Sequence, residues 1–481
     1  MNDNDSEVRV RFAPSPTGYL HVGGARTAIF NWLFAKQQNG EFLIRIEDTD
    51  LERSEQAMVD NILNSLEWLG LSPDEDVVYQ SENFEAHQKA VQQLLESGNA
   101  YRCFCDPAAL DAKRQNNSGT GQDYQYDGTC RNLSGEEIEA HLANGDPFAV
   151  RFKVRRNGPV RFKDRIYKKM KVETSEIDDF IIQRRDGTPV YQLAVVVDDA
   201  AMEISHVIRG EDHLSNTPKQ ILLYLALGYP VPKFAHLPLI VGSDGKRLSK
   251  RHGATSVEEY QKQGYLYTAV VNYLALLGWT PKSNDEIFLP DELIQQFDML
   301  RISKKSAAFD QKKLDWVSSQ HFNLWENEDL LPLVMPLWLD ASLVEDADSN
   351  TEYALQVIDL LKPKVTTLHD FVNYGRYFWE DPTEYDPKAL EKYWDEPVVT
   401  DRMKDWLKRL QELENPDKDE YEQRLRDLAD EKGWSAADLI HPTRIALTGF
   451  SVSPGIFKVM DMLGHETVIR RIQRATQIIA K

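Results

Sequence analysis

Gly18, His21, Gly23 and Gly24 stand together in the stretch Ser15-Pro-Thr-Gly-Tyr-Leu-His-Val-Gly-Gly24. Glycines let backbone approach a phosphate, and free N–H groups at a helix start face negative charge. His21 can add a donor to a phosphoryl oxygen. Such a loop is also an ordinary join between strand and helix. Far along the chain, Lys246, Arg247, Lys250 and Arg251 crowd around Leu248 and Ser249. A loop of that charge suits a triphosphate and the charge that develops as its α-phosphorus is attacked, although a basic surface turn has the same composition. Arg11, Glu47 and Arg209 form a third group, each at the end of an expected strand. Two guanidiniums and a carboxylate match a small ligand with two carboxylates and one ammonium; strand-end ion pairs are the plainer reading. Cys103, Cys105 and Cys130 are all the cysteines of the chain, and three thiols in one short segment suit zinc or serve as reduced structural residues.

These residues need a frame. Val8, Val10 and Phe12 alternate with Arg9 and Arg11, which predicts a strand over Glu7–Phe12. The glycine loop leads to a helix over 25–36, with Ala28, Ile29, Trp32 and Leu33 on one face and Asn39-Gly40 as its stop. A second strand, Phe42–Ile46, runs into Glu47. This βαβ unit opens a parallel nucleotide-binding sheet, whose ligands sit at the carboxyl ends of the strands. A helix is expected near 84–98, then a mixed insertion. Parallel strands resume at Leu193–Val197 and Ile204–Arg209, and Leu237–Val241 precedes the Ser243-Asp-Gly245 turn. Beyond about 325 the pattern is helical: Asp329–Leu339, Tyr353–Leu361, Thr367–Trp379, Arg402–Leu413, Tyr421–Glu431 and Thr467–Ala480.

At 481 residues the chain exceeds one compact core, so several domains are expected. No apolar run approaches the roughly 20 residues that cross a bilayer, and the acidic start Met1-Asn-Asp-Asn-Asp is unlike a secretory or transit segment. A cytoplasmic monomer without membrane contact is expected, and the few cysteines fit a reducing compartment. The net charge of −21 does not exclude a nucleic-acid partner, because local charge governs docking. Residues 151–171 carry ten Lys and Arg against Asp164 alone, either a track for phosphates or the wet face of a twisted hairpin.

The glycine loop resembles the HIGH signature of class I aminoacyl-tRNA synthetases, and Arg247-Leu-Ser-Lys-Arg251 resembles their KMSKS loop. Arg11-Phe-Ala-Pro-Ser-Pro-Thr-Gly18, Arg45-Ile-Glu-Asp-Thr-Asp50, Val197-Asp-Asp199 and Val207-Ile-Arg-Gly-Glu-Asp212 are similar to the bacterial-type glutamate branch, in the right order, and the likeness runs from about Arg9 to the C-terminus. It implies ATP-dependent activation of L-glutamate and transfer to the 3′ end of tRNA(Glu), with Mg²⁺ accompanying ATP and tRNA bound before activation. His21 and Lys250 match the family's catalytic positions, and Gly18, Gly23, Gly24 and 247–251 its ATP site. Arg11, assisted by Tyr191, is implied to read the side-chain carboxylate, and Arg209 the α-carboxylate. Glu47 would take the ammonium, and Ser15 joins by analogy. Gly24 replaces the second His of the HIGH signature, Arg247 the first Lys of the KMSKS loop, and Val195 an Asn of some relatives. Asn132 stands where some relatives have a zinc-binding His, whereas Tyr126-Asp-Gly-Thr-Cys130 fits a Tyr-x3-Cys pattern. Zinc held by Cys103, Cys105, Tyr126 and Cys130 is therefore expected.

The implied architecture is multidomain, α/β plus all-α. It comprises a Rossmann-like half at 1–105, an acceptor-binding insertion at 106–192, and a second half at 193–245. A loop and stem-contact region at 246–325 and a helical anticodon-binding region at 326–481 complete it. A glutaminyl-tRNA synthetase would end in a β-barrel, and a truncated tRNA-modifying relative or an HxGH-type nucleotidyltransferase would lack the helical half. A catalytically dead tRNA-binding scaffold would not need the intact site residues.

Overall fold

Beyond their first residues, β1 (Arg9–Phe12) and β2 (Glu41–Ile46) are buried on both faces, as strands inside a helix-covered parallel sheet are. The computed structural model describes residues 7–49, 55–117, 125–246, 248, 256–346 and 350–479. β1 and β2 pair in parallel from Arg9–Glu41 to Phe12–Ile44, with helix α1 (Val22–Gln37) between them. The helix stops as expected. Asn39 takes a φ of 51°, and Gly40 packs so closely on Val8 that a Cβ would collide with its carbonyl oxygen.

Further along lie β3 (Val78–Tyr79), β4 (Ala100–Cys103), β5 (Ala149–Phe152), β6 (Pro159–Asp164) and β7 (Lys168–Glu173). After them come β8 (Ile181–Gln183), β9 (His206–Gly210), β10 (Lys233–Leu237), β11 (Ile240–Val241) and β12 (Ala307–Ala308). Seven strands form one sheet in the order β3-β2-β1-β9-β10-β6-β7. Every neighbouring pair is parallel except the β6–β7 hairpin. Strand order reverses between β1 and β9, which opens a crevice at their carboxyl ends. β4, β5 and β8 make a separate antiparallel sheet.

The basic stripe divides. On the β6–β7 hairpin Arg161, Lys163, Lys168, Lys169 and Lys171 are exposed, as a wet face requires. Arg151, in β5, is 3% exposed and belongs to the interior.

Three expectations are corrected. Leu193–Val197 is not a strand but part of a helix, Tyr191–Ala201, buried through Leu193–Asp199. A short apolar run reads alike for a buried strand and a buried helix, and β-branched residues tilted the reading. Leu237–Val241 is not one strand: Leu237 ends β10 and Ile240 begins β11, because Pro238 has no N–H for the ladder. Thr367–Trp379 is no single helix; Asp370–Asn373 gives way to a 3₁₀ turn at Arg376–Phe378, and a Cβ on the intervening Gly375 would strike the Phe371 carbonyl. The other expected elements form, with ends displaced by a few residues: the 84–98 helix, for example, is Phe84–Glu96.

The chain divides into two compact units, 1–262 with 267–314, and 263–266 with 315–481. Among its described residues the second unit contains helices and no strands. Its core includes Phe322, Trp338, Phe371, Trp406 and Tyr421, each fully buried, and Trp338 Nε1 donates to the Phe371 carbonyl at 3.1 Å. No helix among the described residues is long and apolar enough to cross a membrane.

Candidate active site

A cavity of about 670 Å³ opens at the carboxyl ends of β1, β2, β9 and β10. Gly18, His21, Gly23 and Gly24 line it from the start of α1. His21 caps that helix, its Nδ1 accepting from the Gly24 N–H at 3.1 Å. The accepting Nδ1 puts the imidazole proton on Nε2, where it can donate to a phosphoryl oxygen.

Arg11, Ser15, Glu47, Tyr191 and Arg209 line the same cavity. Topology explains the convergence: each lies at the carboxyl end of a central strand, in the loop after it, or at the start of a crossing helix. Arg11 grips Asp199 with both ends of its fork, Nε to Oδ1 at 3.0 Å and Nη2 to Oδ2 at 3.2 Å. Arg45 joins them, reaching Asp199 Oδ1 at 2.5 Å and Glu47 Oε1 at 3.2 Å. Burial pushes the Asp199 carboxyl up, but Arg11 and Arg45 outweigh it and hold the group at about 2. Burial also raises Glu47, opposed by Arg45 and Arg11. The result is a dry ion network that fixes one cation and one anion against the cavity.

On the neighbouring strand β9, Arg209 lines the cavity and is 6% exposed. Its Nη1 is buried and has no hydrogen-bond partner in the protein, a costly state unless a ligand supplies an acceptor. Tyr191 donates to or accepts from His213 Nδ1 at 3.0 Å, and its phenol is pushed up to about 12 by burial and then by Glu47. Burial and then Arg209 push His213 down to about 4, so it faces the cavity neutral.

A helix-start anion cradle shares one crevice with two guanidiniums and a carboxylate, and residues 7–316 match the family model of class I tRNA synthetases for E and Q, catalytic domain. The chain belongs to this family of class I tRNA synthetases. Residues 329–476 of the synthetase match an anticodon-binding domain. It is 45% identical over 474 residues to glutamate–tRNA ligase 2 of Koribacter versatilis (strain Ellin345), covering 98% of each chain. It is 44% identical over 475 residues to glutamate–tRNA ligase of Trichlorobacter lovleyi, covering 99% of this chain and 100% of the relative. A crystal structure of a glutamate tRNA ligase from Elizabethkingia meningosepticum in complex with its amino acid superposes with a TM-score of 0.89 at 35% identity, covering 98% of this chain and 100% of that one.

Sequence reasoning did not assign His213 to the synthetase's pocket, nor Asp199 and Arg45 to the ion network behind Arg11 and Glu47. The signal for Asp199 was two adjacent acids, Asp198 and Asp199, at the end of an apolar run, where a soluble surface is not expected. Of the second cationic loop, Leu248 is described, its N–H donating to the Ile240 carbonyl at 3.3 Å; Arg247, Ser249, Lys250 and Arg251 lie outside the described residues.

The three cysteines meet. Their Sγ atoms all lie within 4.8 Å of one another, and the Tyr126 hydroxyl stands 3.5 Å from Cys103 and 3.3 Å from Cys105. Thiol and phenol donors converging on one point fit a tetrahedral zinc ion. Arg151 closes over the cluster: Nε donates to Cys103 Sγ at 3.3 Å, the guanidinium carbon sits 3.9 Å from the centroid of the Tyr126 ring, and Nη1 donates to the Asp179 carbonyl at 2.6 Å.

Proposed function

We infer that the protein is a glutamate–tRNA ligase, forming glutamyl-adenylate from L-glutamate and ATP and passing glutamate to the 3′ end of tRNA(Glu) for protein synthesis. The observation that carries this reading is the single cavity in which Arg11, Arg209 and Glu47 surround a space beside the glycine cradle of α1. Glutamate has the complementary charges. Its side-chain carboxylate pairs with Arg11 and Tyr191, its ammonium with Glu47 and its α-carboxylate with Arg209; Ser15 closes the same wall.

The ATP phosphates lie over Gly18, Gly23 and Gly24, with Nε2 of His21 donating to a phosphoryl oxygen. The loop of Arg247, Leu248, Ser249, Lys250 and Arg251 supplies the remaining positive charge, with Lys250 against the phosphates and Mg²⁺ carried by the nucleotide. An α-carboxylate oxygen attacks the α-phosphorus in line and pyrophosphate leaves. The 3′-terminal hydroxyl of tRNA then attacks the glutamyl carbonyl carbon, and AMP leaves. Both steps need positioning and charge stabilisation, not a protein nucleophile. A neutral His213 keeps a further positive charge away from Arg11 and Arg209, which would otherwise compete for the substrate carboxylates.

In this reading residues 1–105 and 193–245 form the catalytic halves and the 106–192 insertion takes the acceptor end, aided by the cations of its hairpin. Residues 246–325 contact the stem, and 326–481 bind the anticodon, where exposed aromatic residues and cations suit unstacked bases. The enzyme works in the cytoplasm as a monomer. Structural zinc sits at Cys103, Cys105, Tyr126 and Cys130.

Charging of purified total bacterial tRNA with radiolabelled glutamate, with the glutamate and glutamine isoacceptors resolved, tests the function. Charging of the glutamate isoacceptor is expected. Charging of the glutamine isoacceptor as well would make the enzyme non-discriminating, and charging of neither, with ATP bound, would leave a tRNA-binding scaffold.

A further inference from the structure

Arg209 is held from behind by two residues that do not line the cavity. Its Nε donates to His236 Nε2 at 3.2 Å, and its Nη2 donates to Thr217 Oγ1 at 2.8 Å. His236 Nδ1 in turn lies 2.7 Å from Asp164 Oδ2. His236 and Asp164 are both fully buried.

The donor inventory decides how these bonds run. A guanidinium only donates, so His236 Nε2 accepts and must carry a lone pair. The imidazole proton is then on Nδ1 and is donated to Asp164. The carboxylate thereby selects the tautomer that can receive Arg209. Thr217 Oγ1 also lies 3.0 Å from His236 Nε2, but the other tautomer would set its N–H against that of Arg209 and its Nδ1 lone pair against the Asp164 carboxylate, which cannot donate.

The anchoring also has a direction. With Nε and Nη2 held from behind, Nη1 is the nitrogen left without a protein partner, on a residue that lines the cavity. Asp164 ends β6, a strand of the insertion, and its Oδ1 accepts from the N–H groups of Ile166 and Tyr167 at 2.8 and 2.7 Å. Tyr167 in turn donates to Glu211, two residues beyond Arg209. The hairpin turn therefore braces the pocket wall at two points.

We propose that His236, set in its tautomer by Asp164 of the insertion hairpin, is the positioning residue that aims Arg209 at the α-carboxylate of the amino-acid substrate. This rests on the assignment of Arg209 made above. A purely structural His–Asp pair would affect both substrates or only stability. A positioning pair acts on the amino acid alone.

The test is ATP–pyrophosphate exchange with tRNA present, measuring KM for glutamate and for ATP separately, with thermal melting as a check on folding. His236→Leu is expected to raise the glutamate KM about ten-fold or more and to leave the ATP KM within about two-fold. His236→Gln offers an oxygen near the position of Nε2 and should recover most of that loss. Should His236→Leu not fold, Asp164→Asn, which keeps an acceptor but loses the charge, is expected to raise the glutamate KM about three-fold with the ATP KM unchanged. Parallel rises in both KM values, or no recovery by Gln, would overturn the proposal. Arg209→Lys is measured alongside. If it raises the glutamate KM and neither His236→Leu nor Asp164→Asn does, only the relay fails; if Arg209→Lys also has no effect, the assignment of Arg209 fails and the relay with it.

Discussion

Arg151 shows how much one buried side chain can decide. It is part of the basic stripe by sequence, yet it lies against the cysteine cluster, touching both Cys103 and Tyr126. Burial pushes the Cys103 thiol up, but its hydrogen bonds with Tyr126 and Arg151 bring it below its ordinary value. Three thiolates around a dication leave excess negative charge, and a guanidinium in contact offsets part of it. Outer partners of this kind commonly set metal affinity by about 10–100-fold. Protein purified without chelator is expected to hold zinc near one per chain, and Arg151→Met to release it to a competing chelator at least about ten-fold more readily. Zinc well below one per chain in the unaltered protein would remove the metal reading. Equal retention by the variant would remove the role of Arg151.

At the scale of elements, α1 and its two flanking glycines separate ligand binding from folding. A Cβ on Gly18 would meet nothing within 4 Å, so the folded chain has room for alanine there. Gly18→Ala is expected to leave the melting temperature almost unchanged while raising the ATP KM several-fold, because the proposed phosphate path crosses that open space. Gly40, at the far end of the helix, has no such room beside the Val8 carbonyl. Gly40→Ala is expected to destabilise by about 1–3 kcal/mol, read from denaturant midpoints, with both substrate KM values unchanged. A stability loss at Gly18 equal to that at Gly40 would contradict this division of labour.

Over the whole molecule, buried histidines link stability to pH. Burial holds His321 at about 4 and, with Arg209, His213 at about 4; burial also lowers His236. His321 and His213 stay neutral in the native chain down to about 4, while their unfolded counterparts take up a proton below the ordinary value of 6.5. The unfolded state therefore binds more protons between pH 6.5 and about 4, and stability falls as pH drops through that window. A fully buried histidine of this kind contributes a loss of about 2 kcal/mol by pH 5. Urea midpoints are expected to fall between pH 7.5 and pH 5, and less steeply in His321→Gln. A midpoint that is flat across the window would refute the assignment.

The sequence by itself determined the local signals: the βαβ opening, the stop at Asn39-Gly40, the helical texture beyond 325 and the residue types of the site. These depend on period, turn chemistry and charge, all of which act within a few residues. It also sufficed for the family, because motifs in fixed order encode the sheet ends that carry them. The tertiary structure decided what depends on burial by distant segments. Leu193–Val197 became helix because packing on every side removes the periodicity that distinguishes helix from strand. Arg151 left the surface stripe, and Asp199 and Asp164, ordinary acids in the linear chain, became the charges behind Arg11 and Arg209. A charge's role follows from the partners that hold it: Asp199 lies 188 residues from Arg11, and Asp164 reaches Arg209 through His236, 27 residues from it, distances that only the folded sheet closes.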